Sequence, residues 1–265
     1  MRGLVLDFDG VLADSAPECF EVALGTYADL RPEHALGSRD RRELFEAFVT
    51  LMPLGNRAED FGVALAALDA AASLPDQVAY DVFRDRIPQS WRDRFHRRFY
   101  ERRSALAEAD PERWCALNRP FPAFLGLLRR RREDVHLALA TAKDRAAVLR
   151  LLEAWGARDL FDEALVFDKE VGVRKTAHLE RARSRLGIDF GEITFVDDKV
   201  NHLVEVSPLG VRCGLAAWGY NGARERTEAR SRGFLVFGLD DAEERLFGRD
   251  VAPGDPHERA SGPTG

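Results

Sequence analysis

Hydrophobic and polar positions divide this chain into three textures. At its start Leu4-Val5-Leu6 runs directly into Asp7-Phe8-Asp9-Gly10-Val11-Leu12, the pattern of a buried strand that delivers carboxylates to its end. Alternate side chains of an extended chain share a face, so Asp7 and Asp9 are expected to point the same way and Phe8 back into the core. Gly10 permits a sharp turn, and Ser15-Ala16-Pro17-Glu18 has the capping-box spacing that opens a helix. From residue 16 to about 118, apolar residues recur at helical spacing, as in Leu44-Phe45-Phe48-Leu51-Met52, Phe61-Ala64-Leu65-Leu68 and Trp91-Phe95-Phe99. Pro53, Gly55, Pro75, Pro88 and Pro111 punctuate this run, which predicts four or more helices and no strong strand.

From Arg119 helix and strand patterns alternate, as in a parallel sheet covered by helices. Helices are predicted over 122–132, over 144–155 with Gly156 as the stop, and from near Thr176 to Gly187. Strands are predicted at Val135 to Ala140, Ala164 to Phe167, Ile193 to Val196, Val211 to Ala217 and Phe234 to Phe237. The expected organisation is therefore an α/β unit built from residues 1–15 and 119–248, interrupted by an all-helical insertion over 16–118. Residues 249–265 read as a disordered tail, rich in Pro, Gly and charge with scarcely an apolar residue.

A length of 265 residues suffices for a sizeable core. The net charge of −6 argues against nucleic acid as a partner, and arginines such as Arg97-Arg98 and Arg102-Arg103 read as a solvated helix face. No apolar run reaches membrane-spanning length and none near the N-terminus resembles a signal peptide, so a cytoplasmic location is expected. Cys19, Cys115 and Cys213 show neither zinc-like spacing nor a disulfide framework and read as small buried hydrophobes.

In an open parallel sheet, ligands bind outside the carboxyl ends of the strands. Four predicted strand ends carry polar residues there or in the loop just beyond: Asp7 and Asp9, Thr141, Lys175, and Asp197 with Asp198. Two carboxylates about 4 Å apart repel by about 4 kcal/mol at an effective dielectric near 20, so a cation is required among them. An all-oxygen acidic site favours a hard ion, magnesium first. Lys175 and the Thr141 hydroxyl suit the oxygens of a phosphoryl group.

This ordered set resembles the four motifs of the haloacid dehalogenase superfamily, in the branch of phosphoglycolate phosphatases and β-phosphoglucomutase, whose helical cap follows the first motif. Asp7-Phe8-Asp9-Gly10 corresponds to motif I, Thr141 to motif II, Lys175 to motif III and Asp197-Asp198 to motif IV, and Trp218-Gly219-Tyr220 is similarly placed after the last. The resemblance implies a three-layer Rossmann-like parallel-sheet core with an inserted cap, and a magnesium-dependent phosphatase acting on a small phosphorylated metabolite. Asp7 is implied as nucleophile and Asp9 as general acid and base. Magnesium is implied on Asp7, the Asp9 carbonyl and Asp198, with Asp197 nearby, and the phosphoryl oxygens on Thr141 and Lys175. Lys169 stands close enough in sequence to compete with Lys175 for its role. Asn201, four residues after Asp197 and three after Asp198, is a candidate to support the metal carboxylates or to cap a helix. Asn56, Arg57 and Asp60 form a polar turn that either reaches the substrate or starts a helix. The alternative activities are a phosphosugar mutase with the same central residues and a non-catalytic ligand-binding relative. A dehalogenase is not expected to carry Asp9 or the Asp197-Asp198 pair. Substrate identity and oligomeric state are not encoded in any of these motifs.

Overall fold

The structure, a computed structural model, describes residues 1–55, 57–172 and 174–248. Strand β1 (Gly3–Leu6) leads through the turn at Gly10 into a two-residue strand, β2 (Ala13–Asp14). Six helices follow: α1 (Ala16–Leu30), α2 (Arg41–Leu51), α3 (Ala58–Asp69), α4 (Gln77–Asp85), α5 (Gln89–Ala109) and α6 (Pro111–Ala116). The chain then returns through β3 (Arg119–Pro120) to α7 (Pro122–Arg131), β4 (His136–Ala140), α8 (Arg145–Ala154) and β5 (Val166–Phe167). It continues through α9 (Lys175–Leu186), β6 (Ile193–Asp197), α10 (Val200–Val206), β7 (Arg212–Ala216), α11 (Ala223–Ser231), β8 (Leu235–Phe237) and α12 (Ala242–Phe247).

Six strands form one parallel sheet in the order β5-β4-β1-β6-β7-β8. The chain builds outward from β1 in one direction with β4 and β5, then in the other with β6, β7 and β8. That reversal makes the carboxyl end of β1 the crevice where ligands are expected. Leu6 is in register with Leu139 on one side and Val196 on the other, so Asp7 emerges level with the ends of β4 and β6.

Both sheet faces are covered, which is why the strands read as continuous apolar runs. Leu4, Leu6, Leu137 and Leu139 pack with residues of α7, α8 and α12, while Val5, Ala138, Ala140 and Phe195 pack with residues of α9, α10 and α11. Helices α1, α2, α3 and α5 bury their own core, in which Phe20, Phe48, Phe95 and Phe99 are at most 4% exposed. Phe20–Phe48–Phe61–Phe99 is a continuous chain of ring contacts, and each fully buried ring of this kind contributes roughly 1.5–3 kcal/mol.

Several local expectations are corrected. The β2/β3 ribbon at the base of the helical layer has no periodic apolar signal, and its pairing of Ala13 with Pro120 joins segments more than a hundred residues apart in sequence. The capping box does not form: α1 starts at Ala16, but the Ser15 side chain makes no cap bond, its hydroxyl donating to Asp9 instead. Glu18 turns inward to Arg103. Residues 163–165 form a 3-10 turn, leaving only Val166–Phe167 as strand. Arg103 is buried, unlike its exposed neighbours Arg97, Arg98 and Arg102, and Cys115 is half-buried while Cys19 and Cys213 are buried. Residues 249–265, expected as a tail, and Asn56 lie outside the described residues. No described helix is long and apolar enough to cross a membrane.

Candidate active site

The first strand ends at Leu6, one residue before the acids, so strand alternation does not bring Asp7 and Asp9 together. A turn does. The Phe8 carbonyl accepts from the amides of Val11, Leu12 and Ala13, and Gly10 sits at φ +82°. The tight turn returns Asp9 to the same cavity as Asp7, while Phe8 stacks on Trp155 beneath. Glycine is needed at position 10 twice over, because a Cβ there would strike the Asp198 carboxylate.

Thr141 follows β4 directly and is fully buried. Its hydroxyl accepts from the amide of Lys143, as a strand-ending turn requires, and it lines the cavity. Lys175 is the first residue of α9. Its ammonium lies 2.9 Å from Asp7 Oδ1 and 3.3 Å from Asp197 Oδ2, and donates to the Ala140 carbonyl at 2.7 Å. Lys169 is elsewhere, its ammonium 5.3 Å from the centre of the Tyr100 ring.

Asp197 accepts from the Lys199 amide and faces His202 Nδ1 at 3.0 Å. Burial opposes its ionisation, but His202 and Lys175 outweigh it and hold its carboxyl below the usual range. Asp198 accepts from the Tyr220 amide at 2.7 Å and makes no ion pair among the described residues. Burial, with Asp197 and Asp7 adding to it and Lys199 opposing, pushes its carboxyl up to about 7. Burial likewise raises Asp7 to about 6 against the pull of Lys175. Asp7 and Asp198 thus form an under-neutralised carboxylate pair. Ligand atoms of Asp7, Asp197 and His202 also lie within 4.8 Å of one another and could hold a metal. The Lys175 ammonium, however, already bridges Asp7 and Asp197.

Three contributors, Lys143, His202 and Lys199, escaped the sequence reading, and a fourth, Tyr220, is legible there only by its placement after the last motif. Lys143 is 1% exposed with its ammonium 3.2 Å from Asp9 Oδ1. Burial alone would raise the Asp9 carboxyl, yet Lys143 and then Arg103 hold it below its ordinary value. A lysine two residues past a strand-ending threonine was the available signal. His202 stands beside Asp197, while Asn201, the candidate to support the metal carboxylates or cap a helix, lies inside α10, exposed on the cavity wall, with its side-chain oxygen accepting from the His202 amide. Tyr220 links the carboxylates to the helical layer: its amide donates to Asp198, while its hydroxyl accepts from the Ala16 amide at 2.7 Å and donates to Asp14 at 3.2 Å. Lys199 bridges the same two layers, donating to the carbonyls of Met52 and Gly55. At Arg57 and Asp60 the chain starts a helix, with α3 beginning at Ala58 and Asp60 accepting from the Arg57 amide at 3.1 Å, and Arg57 also lines the cavity.

Asp7, Asp9, Thr141, Lys143, Lys175, Asp198, Lys199, Asn201, His202 and Tyr220 line one cavity of about 1060 Å3 between the sheet edge and the helical layer, whose helical wall includes Phe61, Phe99 and Tyr100. The floor therefore has room for a cation and a phosphoryl group together beneath the helical layer.

Residues 1–204 match the family model of haloacid dehalogenase-like hydrolases, and the chain belongs to that family. Among solved structures it is similar to a candidate phosphoglycolate phosphatase from Lactobacillus delbrueckii subsp. bulgaricus, with a TM-score of 0.68 at 15% identity over 94% of this chain and 99% of that one. It is also similar to a haloacid dehalogenase-like family protein from Streptococcus pneumoniae (TM-score 0.61, 14% identity, 91% and 96% covered). A HAD family hydrolase from Deinococcus radiodurans with bound phosphate and sodium has a TM-score of 0.58 at 19% identity, with 93% and 95% covered. No curated protein matches the sequence.

Proposed function

We propose that this hydrolase is a magnesium-dependent phosphatase that cleaves a small-molecule phosphomonoester through an aspartyl phosphate, with residues 16–118 as its cap. The observation that carries the proposal is the division of labour between two carboxylates on one turn. Asp7 is held by Lys175 at 2.9 Å, whereas Asp9 is held separately by Ser15 and Lys143.

Asp7 attacks phosphorus, forming the aspartyl phosphate as the ester P–O bond breaks, and Asp9 in its protonated form, the minor form in the resting site, donates its proton to the departing alkoxide. Asp9, now a carboxylate, takes a proton from water as that water attacks phosphorus; phosphate leaves and Asp7 is restored. Thr141 and Lys175 orient and neutralise the phosphoryl oxygens. The residues fit a hard cation, because Asp198 is deeply buried beside Asp7 without an ion-pair partner among the described residues. Asp7 and Asp198, with Asp197 behind them, would hold magnesium there. When bound, it neutralises charge on the phosphoryl oxygens. The bound phosphate of the Deinococcus radiodurans structure is consistent with this chemistry on the same fold.

The test is inorganic phosphate release across a panel of phosphorylated sugars, acids and nucleotides, with magnesium and then with chelator. Asp7→Asn is expected to lower the rate at least about a thousandfold while leaving the fold intact. Substantial turnover by Asp7→Asn, or release indifferent to chelator, overturns the proposal.

A further inference from the structure

The proposed phosphatase chemistry uses the cavity floor, but not two cations at the seam between core and cap. Most charged groups on the cavity wall are paired. Arg57 and His96 face Glu59 at 3.9 and 2.6 Å, Arg174 faces Glu205 at 3.5 Å, and Glu101 faces Arg98 at 3.0 Å. Lys199 is taken up by the carbonyls of Met52 and Gly55, which among the wall's cations leaves Arg97 and Lys169. Both are exposed and line the cavity, and neither makes an ion pair among the described residues.

They line the same cavity from opposite sides of the seam. Lys169, from the core loop after β5, places its ammonium 5.3 Å from the ring centre. Arg97 stands three residues before Tyr100 on α5, hence on the same stretch of helix surface. A ring face is a weak partner for an exposed ammonium, readily exchanged for an anion. The cavity, about 1060 Å3, is slightly above the range of small-molecule sites (about 300–1,000 Å3) and has room for a ligand much larger than a bare phosphate.

We propose that Arg97 and Lys169, which line the cavity from the cap and the core sides of their seam, bind a second anionic group of the substrate, a carboxylate or a second phosphate, at the end of its body away from the scissile phosphoryl group. The inference rests on the phosphatase reading for the position of the first anion. It makes substrates with two separated anionic groups the preferred class, with Lys169 leaving the ring to meet the incoming charge.

Binding is measured by titration calorimetry on the full chain with magnesium, at low salt because exposed charges are screened. The probes are unreactive alkylphosphonates of matched length ending in methyl, carboxylate or a second phosphonate. At some chain length an anionic end is expected to tighten binding about ten- to a hundredfold over methyl. Arg97→Met and Lys169→Met, both at exposed positions, are each expected to shrink that advantage at least about fivefold. The carboxylate and diphosphonate series show which anion is preferred. An advantage at no length, or one that survives both substitutions, overturns the inference. Hydrolysis of p-nitrophenyl phosphate by the wild-type chain, assayed separately, judges the phosphatase reading itself, so the two can fail independently.

Discussion

Replacing Glu18 by glutamine is expected to destabilise the protein by about 3 kcal/mol. Glu18 and Arg103 form a two-pronged ion pair, Nε to Oε1 at 2.6 Å and Nη2 to Oε2 at 2.7 Å, with side chains 0% and 9% exposed. With charge centres about 4 Å apart, the attraction is about 4 kcal/mol at an effective dielectric of 20. Removing one partner of a buried pair strands the other and costs about 3–5 kcal/mol, and glutamine keeps part of one hydrogen bond. For a chain of this size, with a urea dependence near 3 kcal/mol per molar, the unfolding midpoint should fall by about 1 M. Urea unfolding followed by tryptophan fluorescence reads it, Trp91 reporting from the helical layer. The double variant Glu18→Met with Arg103→Met removes both charges and keeps an apolar stem where Arg103 lies over Phe99. It should stay within about 1 kcal/mol of wild type. A loss below about 1 kcal/mol for Glu18→Gln, or a double variant as unstable as the two single substitutions summed, would refute the reasoning.

Other consequences follow from the same geometry. Lys143→Met removes the chief force lowering the Asp9 carboxyl, so the limb of the pH–rate profile that reports Asp9 should move to higher pH; an unmoved limb would show that Lys143 does not tune it. His178 is buried neutral, its pKa lowered by burial from 6.5 to about 4. Protonation therefore favours the unfolded chain, and its contribution, intact above about pH 6.5, should be lost as pH falls toward 4, to a total of about 3 kcal/mol. In His178→Gln the fall in urea stability over that window should be correspondingly shallower, and identical slopes would contradict the assignment. A Cβ at Gly219 would collide with Asp198 and lie 2.5 Å from the Gly10 carbonyl oxygen. Gly219→Ala should cost about 1–3 kcal/mol in urea unfolding and impair magnesium-dependent phosphate release, and wild-type behaviour in both assays would show that the turn yields.

The sequence by itself determined the architecture and the composition of the cavity floor. Apolar runs, helical periodicity and strand-ending acids are local signals, and each survives because the segment that displays it is also the segment that packs. Leu4-Val5-Leu6 is apolar throughout because both faces of β1 are covered, and Lys175 could be singled out because it abuts a legible helix start. What only the tertiary structure decided depends on partners distant in sequence. Ser15 and Glu18 read as a cap, since nothing local shows that Asp9 and Arg103 compete for them. Arg103 read as solvated because its carboxylate partner lies 85 residues away. Lys199 carries no motif of its own and Tyr220 is marked only by its placement, and their role in joining the carboxylates to the cap appears only when Met52, Gly55 and Ala16 are brought beside them. A buried charge must find its counter-charge or dipole wherever the fold places one, and that requirement leaves no periodic trace along the chain.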